Sequence, residues 1–289
     1  MQIKTDGNNL ILTDVKDFSI SQILECGQCF HFESLSPDEY DIMACGRALH
    51  IKQEGTDVTF FDTDTDTYEN VWKHYFDMDN DYSAIKEYVV NVDNRLSSAV
   101  NSRAGMRLLN QDFFETLISF IISQNKQIPQ IKQIVKNISH NFGESVIGYN
   151  GGTFYLFPTP EVLNKVSEEE LRSCKMGFRA PYIKDACKKV CSGLVTKERL
   201  DELSFSDARE LLMTIKGVGE KVANCVLLFG LGRREAFPDD VWIKRIMEQM
   251  YFEGNDTKKD VIEAFAVEKF GEYGGYAQQY LFELARNNL

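Results

Sequence analysis

At 289 residues with a formal net charge of −12, the chain is long enough for one large domain or two moderate ones, each burying its own core. Taken whole, that acidity lowers the expectation of a nucleic-acid partner. Residues 1–6 show no basic run leading into an apolar one, and no apolar run nears the roughly 18 residues that span a bilayer, so a single chain in the cytoplasm with no membrane partner is expected.

Short strands are expected at 10–12, 40–44, 48–52 and 58–61, with a turn at Cys45-Gly46. Ala48, His50 and Lys52 alternate with Leu49 and Ile51, the pattern of a half-buried hairpin. Residues 1–105 are therefore expected to form an N-terminal antiparallel β-sheet domain with some helix. Within it, Cys26-Gly27-Gln28-Cys29 is a lone Cys-x-x-Cys without a second pair at metal spacing, and seven cysteines, an odd number, point to reduced thiols. The alternating run Asp62, Asp64, Asp66 lacks the glycine and the closing glutamate of a calcium loop, so it reads as a polar helix cap.

From about residue 80 the periodicity turns helical, with segments at 81–92, 111–124, 128–141, 181–193, 205–213, 219–230, 240–251, 257–269 and 275–286. Residues 106–289 are expected to form an all-α domain, giving an α+β chain. Phe113, Leu117, Phe120 and Ile121, and later Val222, Cys225, Val226 and Phe229, make core stripes at three- and four-residue spacing. Cys187 and Cys191, one turn apart, read as small core residues. The histidines at 31, 50, 74 and 140 lie on unrelated segments, which gives no support to a histidine metal cluster or a Ser-His-Asp triad.

The charge is unevenly spread. Residues 1–105 hold 8 Lys+Arg against 19 Asp+Glu, and residues 106–289 hold 24 against 25. A nearly neutral second part can still present a local basic face, for which Lys126, Lys132, Arg179, Lys184, Lys216, Lys244 and Arg245 are the candidates, with weak long-range steering and salt-sensitive binding.

Ile215-Lys216-Gly217-Val218-Gly219-Glu220-Lys221 places two glycines before a helix whose first turn carries a lysine. The free N–H groups of a helix N-terminus suit an anion, and glycine lets another chain approach closely; no P-loop pattern is present, so a phosphodiester is expected rather than a nucleoside triphosphate. A lysine attacks carbon only as the neutral amine, which apolar surroundings and a helix N-terminus favour over the ammonium. Asp240, in Phe237-Pro238-Asp239-Asp240-Val241, is an N-cap candidate, and a carboxylate fixed there is also placed to stabilise cationic charge on a sugar ring. An ordinary turn, a solvated lysine and a simple cap are the plainer alternatives.

Together these residues resemble the helix-hairpin-helix DNA glycosylase superfamily, with Lys221 marking its bifunctional glycosylase/lyase branch; the chain is most similar to the 8-oxoguanine DNA glycosylases over almost its whole length. The resemblance implies double-stranded DNA containing 8-oxoguanine as partner and Lys221 and Asp240 as the catalytic pair. Gly27 would accept from N7–H of the lesion, Gln278 and Phe282 would read and cover the flipped base, and Cys225 would line the pocket. Four-residue spacing places Gln278 and Phe282 on one side of a helix, and Cys225 one turn beyond Lys221. Asn125 would fill the gap left by the flipped nucleotide, Phe178 would wedge the duplex, Arg179 would read the orphaned cytosine, and Gly217 and Gly219 would meet phosphate. The resemblance further implies a monovalent or loosely held cation on the hairpin carbonyls; the sequence indicates no redox or organic cofactor.

Two positions depart from the family pattern. Gln130 stands where many members place a second cytosine-reading arginine; an amide both donates and accepts, so a relaxed preference for the opposite base is expected. Trp242 stands where many relatives carry a phosphate-contacting histidine, and its role is open. An endonuclease III-type enzyme would carry four C-terminal cysteines for a cluster, whereas no cysteine follows Cys225. Alkylbase and adenine glycosylases ordinarily lack Lys221, and a non-catalytic binding module would not account for Lys221, Asp240, Gly27 and Gln278 together.

Overall fold

The computed structural model describes residues 1–288. Six antiparallel strands form one sheet in the order β1-β2-β6-β5-β4-β3: β1 (Gln2–Asp6), β2 (Asn9–Thr13), β3 (Phe32–Ser36), β4 (Glu39–Ala44), β5 (Arg47–Glu54) and β6 (Asp57–Phe60). The four expected strands are β2, β4, β5 and β6. The turn between β4 and β5 has Cys45 and Gly46 both at positive φ, 53° and 69°, as a two-residue hairpin requires to match strand twist. Leu49 and Ile51 face the core opposite Ile42 and Tyr40. The Asp-Thr run is a cap, with the Asp64 carboxylate accepting from Thr67 N–H at 2.7 Å.

Strands β1 and β3 were not expected. Every residue of β1 is exposed, so it carries no alternation to read and is held by pairing with β2 alone. Residues 106–289 are also not purely helical: β7 (Ser145–Ile147) and β8 (Thr153–Tyr155) form a small hairpin whose Tyr149 stacks on His50 with ring centroids 4.5 Å apart. His50 is thereby buried, its two ring nitrogens facing Asp41 and Glu39, where sequence alternation placed it on an outer face. Cys191 is exposed rather than core.

Two cores result. The first lies under the sheet, where Leu10, Leu12, Ile51, Val58 and Phe60 meet Ile20, Ile23, Tyr68, Trp72 and Phe76. The second is built by the helices, and it takes in Tyr82, Ile85 and Val89 as well as the later segments. At its centre the helix Glu220–Gly230 packs on Phe113–Ser123. Every residue from Val222 to Gly230 is buried.

The chain passes between the cores through Met106 to Leu109, and one buried amide holds the crossing. Gln28, fully buried, donates to the carbonyls of Ile23 and Arg107, both at 2.8 Å, and accepts from Leu109 N–H at 2.9 Å. Its own carbonyl accepts from the Gln111 side chain at 2.8 Å. Gly27, at φ 88°, is thus anchored to both bodies by its neighbour. Gln28→Leu would remove three hydrogen bonds to buried backbone groups and is expected to cost about 3 kcal/mol at about 1 kcal/mol per bond, measured by denaturant unfolding; a loss under about 1 kcal/mol would show that the crossing is held elsewhere.

Candidate active site

The hairpin between helices Phe205–Met213 and Glu220–Gly230 is shaped by Gly217. Its φ is 79°, and a Cβ there would lie 2.2 Å from the Tyr182 ring, so both conformation and space exclude a side chain. Asp185 holds the turn from outside, accepting from Lys216 N–H at 2.7 Å and from Lys189 Nζ at 2.8 Å. Gly219 is the N-cap and supplies no side-chain cap, and the space around it is open. The positive end of the helix is therefore free to meet an anion.

Lys221, in the first turn, is half-buried, with Nζ 3.5 Å from Ser123 Oγ and 5.0 Å from the centroid of the Phe120 ring. Phe120 in turn stacks on Phe229, with centroids 5.5 Å apart. One turn on, the Cys225 thiol lies within hydrogen-bonding reach of Lys221; burial pushes it up to about 11, so it stays a neutral thiol at ordinary pH. Asp240 caps the helix Val241–Tyr251, its Oδ1 accepting from Trp242 and Ile243 N–H groups at 2.9 Å each. Lys259 fixes the preceding residue, donating to the Asp239 carbonyl at 2.7 Å and to its carboxylate at 3.1 Å.

Lys221 and Asp240 line one small open pocket together with Cys26, Gly27, Phe120, Cys225, Phe229, Pro238, Gln278, Gln279 and Phe282. Gln278, Gln279 and Phe282 come from the helix Gly274–Asn288. Gly275 brings it against the chain: its N–H donates to Arg234 O at 2.7 Å, and a Cβ would lie 2.3 Å from Leu228. Gln278, 4 % exposed, then donates to the Pro238 carbonyl at 3.1 Å. All six residues expected at the base and the bond to be broken, from Gly27 to Phe282, meet here. Phe120, Phe229 and Gln279 join them unforeseen; Phe229 lies two turns after Lys221 and so was within reach of the same spacing argument that found Cys225.

The residues expected against the orphaned base form a second group on the rim. Asn125 is exposed in the left-handed region at φ 53°, which asparagine tolerates. Phe178 is 56 % exposed, as a wedge requires. Gln130 is exposed, but its Oε1 accepts from Gln127 N–H at 3.3 Å in a capping box of the helix Ile128–Phe142. Arg179 differs from expectation: it is 3 % exposed, lies 4.3 Å over the Phe178 ring and donates to the Gln124 and Met176 carbonyls. In this position the guanidinium is held against the Phe178 ring and by the loop's own carbonyls, and almost no part of it is presented to solvent as a reader of bases would be. Gln124 links this rim to the hairpin by donating to the Gly217 carbonyl at 3.1 Å.

The expected basic face is thinner than the sequence suggested. Besides Arg179, Lys184 donates to the carbonyls of Leu163, Asn164 and Val166, and Lys244 pairs with Glu248 and Asp256. Trp242, 41 % exposed beside Asp240, has the Arg245 guanidinium 5.8 Å from its ring centroid. Among the described residues no group of three or more His, Cys, Asp and Glu side chains is placed to hold a metal ion, and no helix is long and apolar enough to cross a membrane.

A helix-hairpin-helix with an uncapped N-terminus, and a first-turn lysine and a carboxylate lining one pocket, define the helix-hairpin-helix DNA glycosylase class. Residues 10–117 match the family model for the 8-oxoguanine DNA glycosylase N-terminal domain, and residues 118–270 match that for the HhH-GPD superfamily base excision DNA repair protein; the chain belongs to this family. A probable N-glycosylase/DNA lyase of Methanothermobacter thermautotrophicus is 35 % identical over 240 residues, 76 % of this chain and 74 % of the relative. The structure of MBOgg1 in complex with a low-affinity DNA ligand matches with a TM-score of 0.95 at 40 % identity, over 99 % of this chain and 98 % of that one. The Clostridium acetobutylicum 8-oxoguanine glycosylase/lyase bound to double-stranded DNA with cytosine opposite 8-oxoguanine matches with a TM-score of 0.95 at 36 % identity, over 100 % and 98 %.

Gly217→Ala is expected to cost about 2 kcal/mol through the positive φ and the displaced Tyr182. Gly219→Ala, where a methyl group meets open space, is expected to cost about 1 kcal/mol or less. Thermal melts of the two variants side by side check the contrast, and equal losses would contradict it.

Proposed function

We propose that the protein excises 8-oxoguanine from duplex DNA and then cuts the strand, through a covalent intermediate on Lys221. The observation that carries this is the meeting of Lys221 and Asp240 with Gly27, Gln278 and Phe282 in one pocket. The lesion is turned out of the duplex at a cost of a few kcal/mol, which Phe178 and Asn125 on the rim offset by wedging the helix and filling the gap.

In the pocket, Gly27 offers its carbonyl to the N7–H that distinguishes 8-oxoguanine from guanine, and Phe282 covers the base. As the N-glycosidic bond breaks, its electron pair leaves with the base, which is protonated, and Asp240 stabilises the positive charge growing on the sugar. The Lys221 amine forms the bond to C1′ and loses a proton. Ring opening gives an imine, which acidifies the C2′ protons; removal of one expels the 3′ phosphate by β-elimination, and water then releases Lys221. Asp240 keeps its cap while doing this, because Oδ1 serves the two amides and Oδ2 takes neither.

The hairpin meets a phosphate through Gly217 and Gly219. A monovalent cation on the hairpin carbonyls fits in part: Ile215 O and Gly217 O each accept one hydrogen bond, from Val218 N–H and the Gln124 amide, which leaves a lone pair on each. The enzyme acts as a monomer in the cytoplasm.

Incubation with an end-labelled duplex carrying 8-oxoguanine, with and without borohydride, tests the chemistry. Lys221→Gln should abolish excision, strand cutting and the trapped protein–DNA band. Asp240→Asn should slow excision by a factor on the order of 100 or more while melting near the wild-type temperature, since asparagine caps a helix as well as aspartate does. Wild-type turnover by either variant would refute the assignment.

Gln130 replaces a donor-only reader with an amide, so opposite-base preference is expected to be relaxed. Excision from duplexes with each of the four opposite bases should favour cytosine less in the wild type than in Gln130→Arg; a preference that the arginine leaves unchanged would show that Gln130 does not read the opposite base.

A further inference from the structure

The helix that carries Gln278 places a second amide, Gln279, at the same pocket. Gln279 is 6 % exposed, and its Nε2 donates to Gln278 Oε1 at 2.7 Å. The orientation of both amides is settled by chemistry. The Pro238 carbonyl only accepts, so the Gln278 atom 3.1 Å from it must be the nitrogen; the other Gln278 atom is then the oxygen, and its neighbour on Gln279 must again be nitrogen. What remains is Gln279 Oε1, a buried acceptor with no partner among the described residues. A buried polar atom without a hydrogen bond is costly, and the residue that carries this one lines the pocket proposed to receive the base.

We infer that Gln279 is a second specificity-determining residue: its Oε1 accepts a hydrogen bond from the Watson–Crick edge of the flipped purine. That edge of 8-oxoguanine carries two adjacent donors, N1–H and the 2-amino group. Gln278 Oε1 has one lone pair left after accepting from Gln279, and Gln279 Oε1 has both of its own. Neighbouring residues therefore present two acceptor oxygens to two neighbouring donors. The relay that ends on Pro238 keeps both oxygens from turning into nitrogens, which would repel the same edge. An adenine-type edge, with an acceptor at N1 and no 2-amino group, offers neither donor at these two positions and sets a lone pair against one of the oxygens. This inference rests on the 8-oxoguanine reading above.

The test is single-turnover excision of 8-oxoguanine and of 8-oxohypoxanthine, which lacks only the 2-amino group, by the wild type and by Gln279→Met. Any difference in intrinsic bond lability is common to both proteins, and any general damage to the variant is common to both substrates. The ratio of the two rates is expected to fall about five- to tenfold from wild type to variant, the factor for one hydrogen bond. An unchanged ratio, with both substrates slowed alike, would overturn the assignment and leave Gln279 as packing. Should Gln279→Met melt too low to assay, Gln279→Ala is read in the same way. Failure of the wild type to excise either base would overturn both this inference and the 8-oxoguanine reading.

Discussion

A helix buried from Val222 to Gly230 can meet solvent only at its start, and the rest of the molecule follows from that constraint. Each apolar side chain it buries is worth about 1.5 to 3 kcal/mol, but only if other elements close around it on every side. The helices on either side and the helix Gly274–Asn288 do so, and in doing so they deliver their own residues to the rim of its one open turn. Lys221 occupies that turn. The pocket is therefore the mouth left where the packing of the second core stops, and the residues that line it are continuous with those that stabilise the fold.

Short amide bridges, more than charge, set the segments around that mouth. Gln124 joins the loop of Asn125 to the carbonyl of Gly217, and Gln278 joins the last helix to the carbonyl of Pro238, two residues before Asp240. Gln28 does the same at the crossing beside Gly27. Each bridge spans elements far apart in sequence and ends on a backbone carbonyl, which cannot change rotamer. Groups held this way meet a substrate without first being ordered, which is what a site must do if binding is to favour the transition state.

Much of this was legible in the sequence where periodicity or local chemistry determines the outcome. Alternation gave β4 and β5, and four-residue spacing gave Lys221 with Cys225 and Gln278 with Phe282. Strand β1 was invisible because an exposed edge strand needs no apolar alternation, and the β7–β8 hairpin because three-residue strands are shorter than the pattern that reveals them. Gln279 and Gln28 were missed for another reason. Adjacent residues on a helix point about 100° apart, so the spacing that pairs Gln278 with Phe282 does not bring Gln279 to the same pocket, and the partners of Gln28 lie up to 83 residues away. Arg179 shows the same limit in reverse: its type suited the orphaned base, but only the folded chain reveals how many carbonyls compete for it.

The chain has two tryptophans, and their settings could hardly differ more. Trp72 is sealed beneath the sheet at 1 % exposure, packed edge-on to Tyr75, while Trp242 stands in the open next to the carboxylate of Asp240. Indole emission shifts to longer wavelength in water, so the blue part of the intrinsic fluorescence belongs to the integrity of the first core and the red part to events at the mouth of the pocket. The protein thus carries a built-in two-colour optical probe, by which folding and encounter with a duplex can be followed separately in one unlabelled sample.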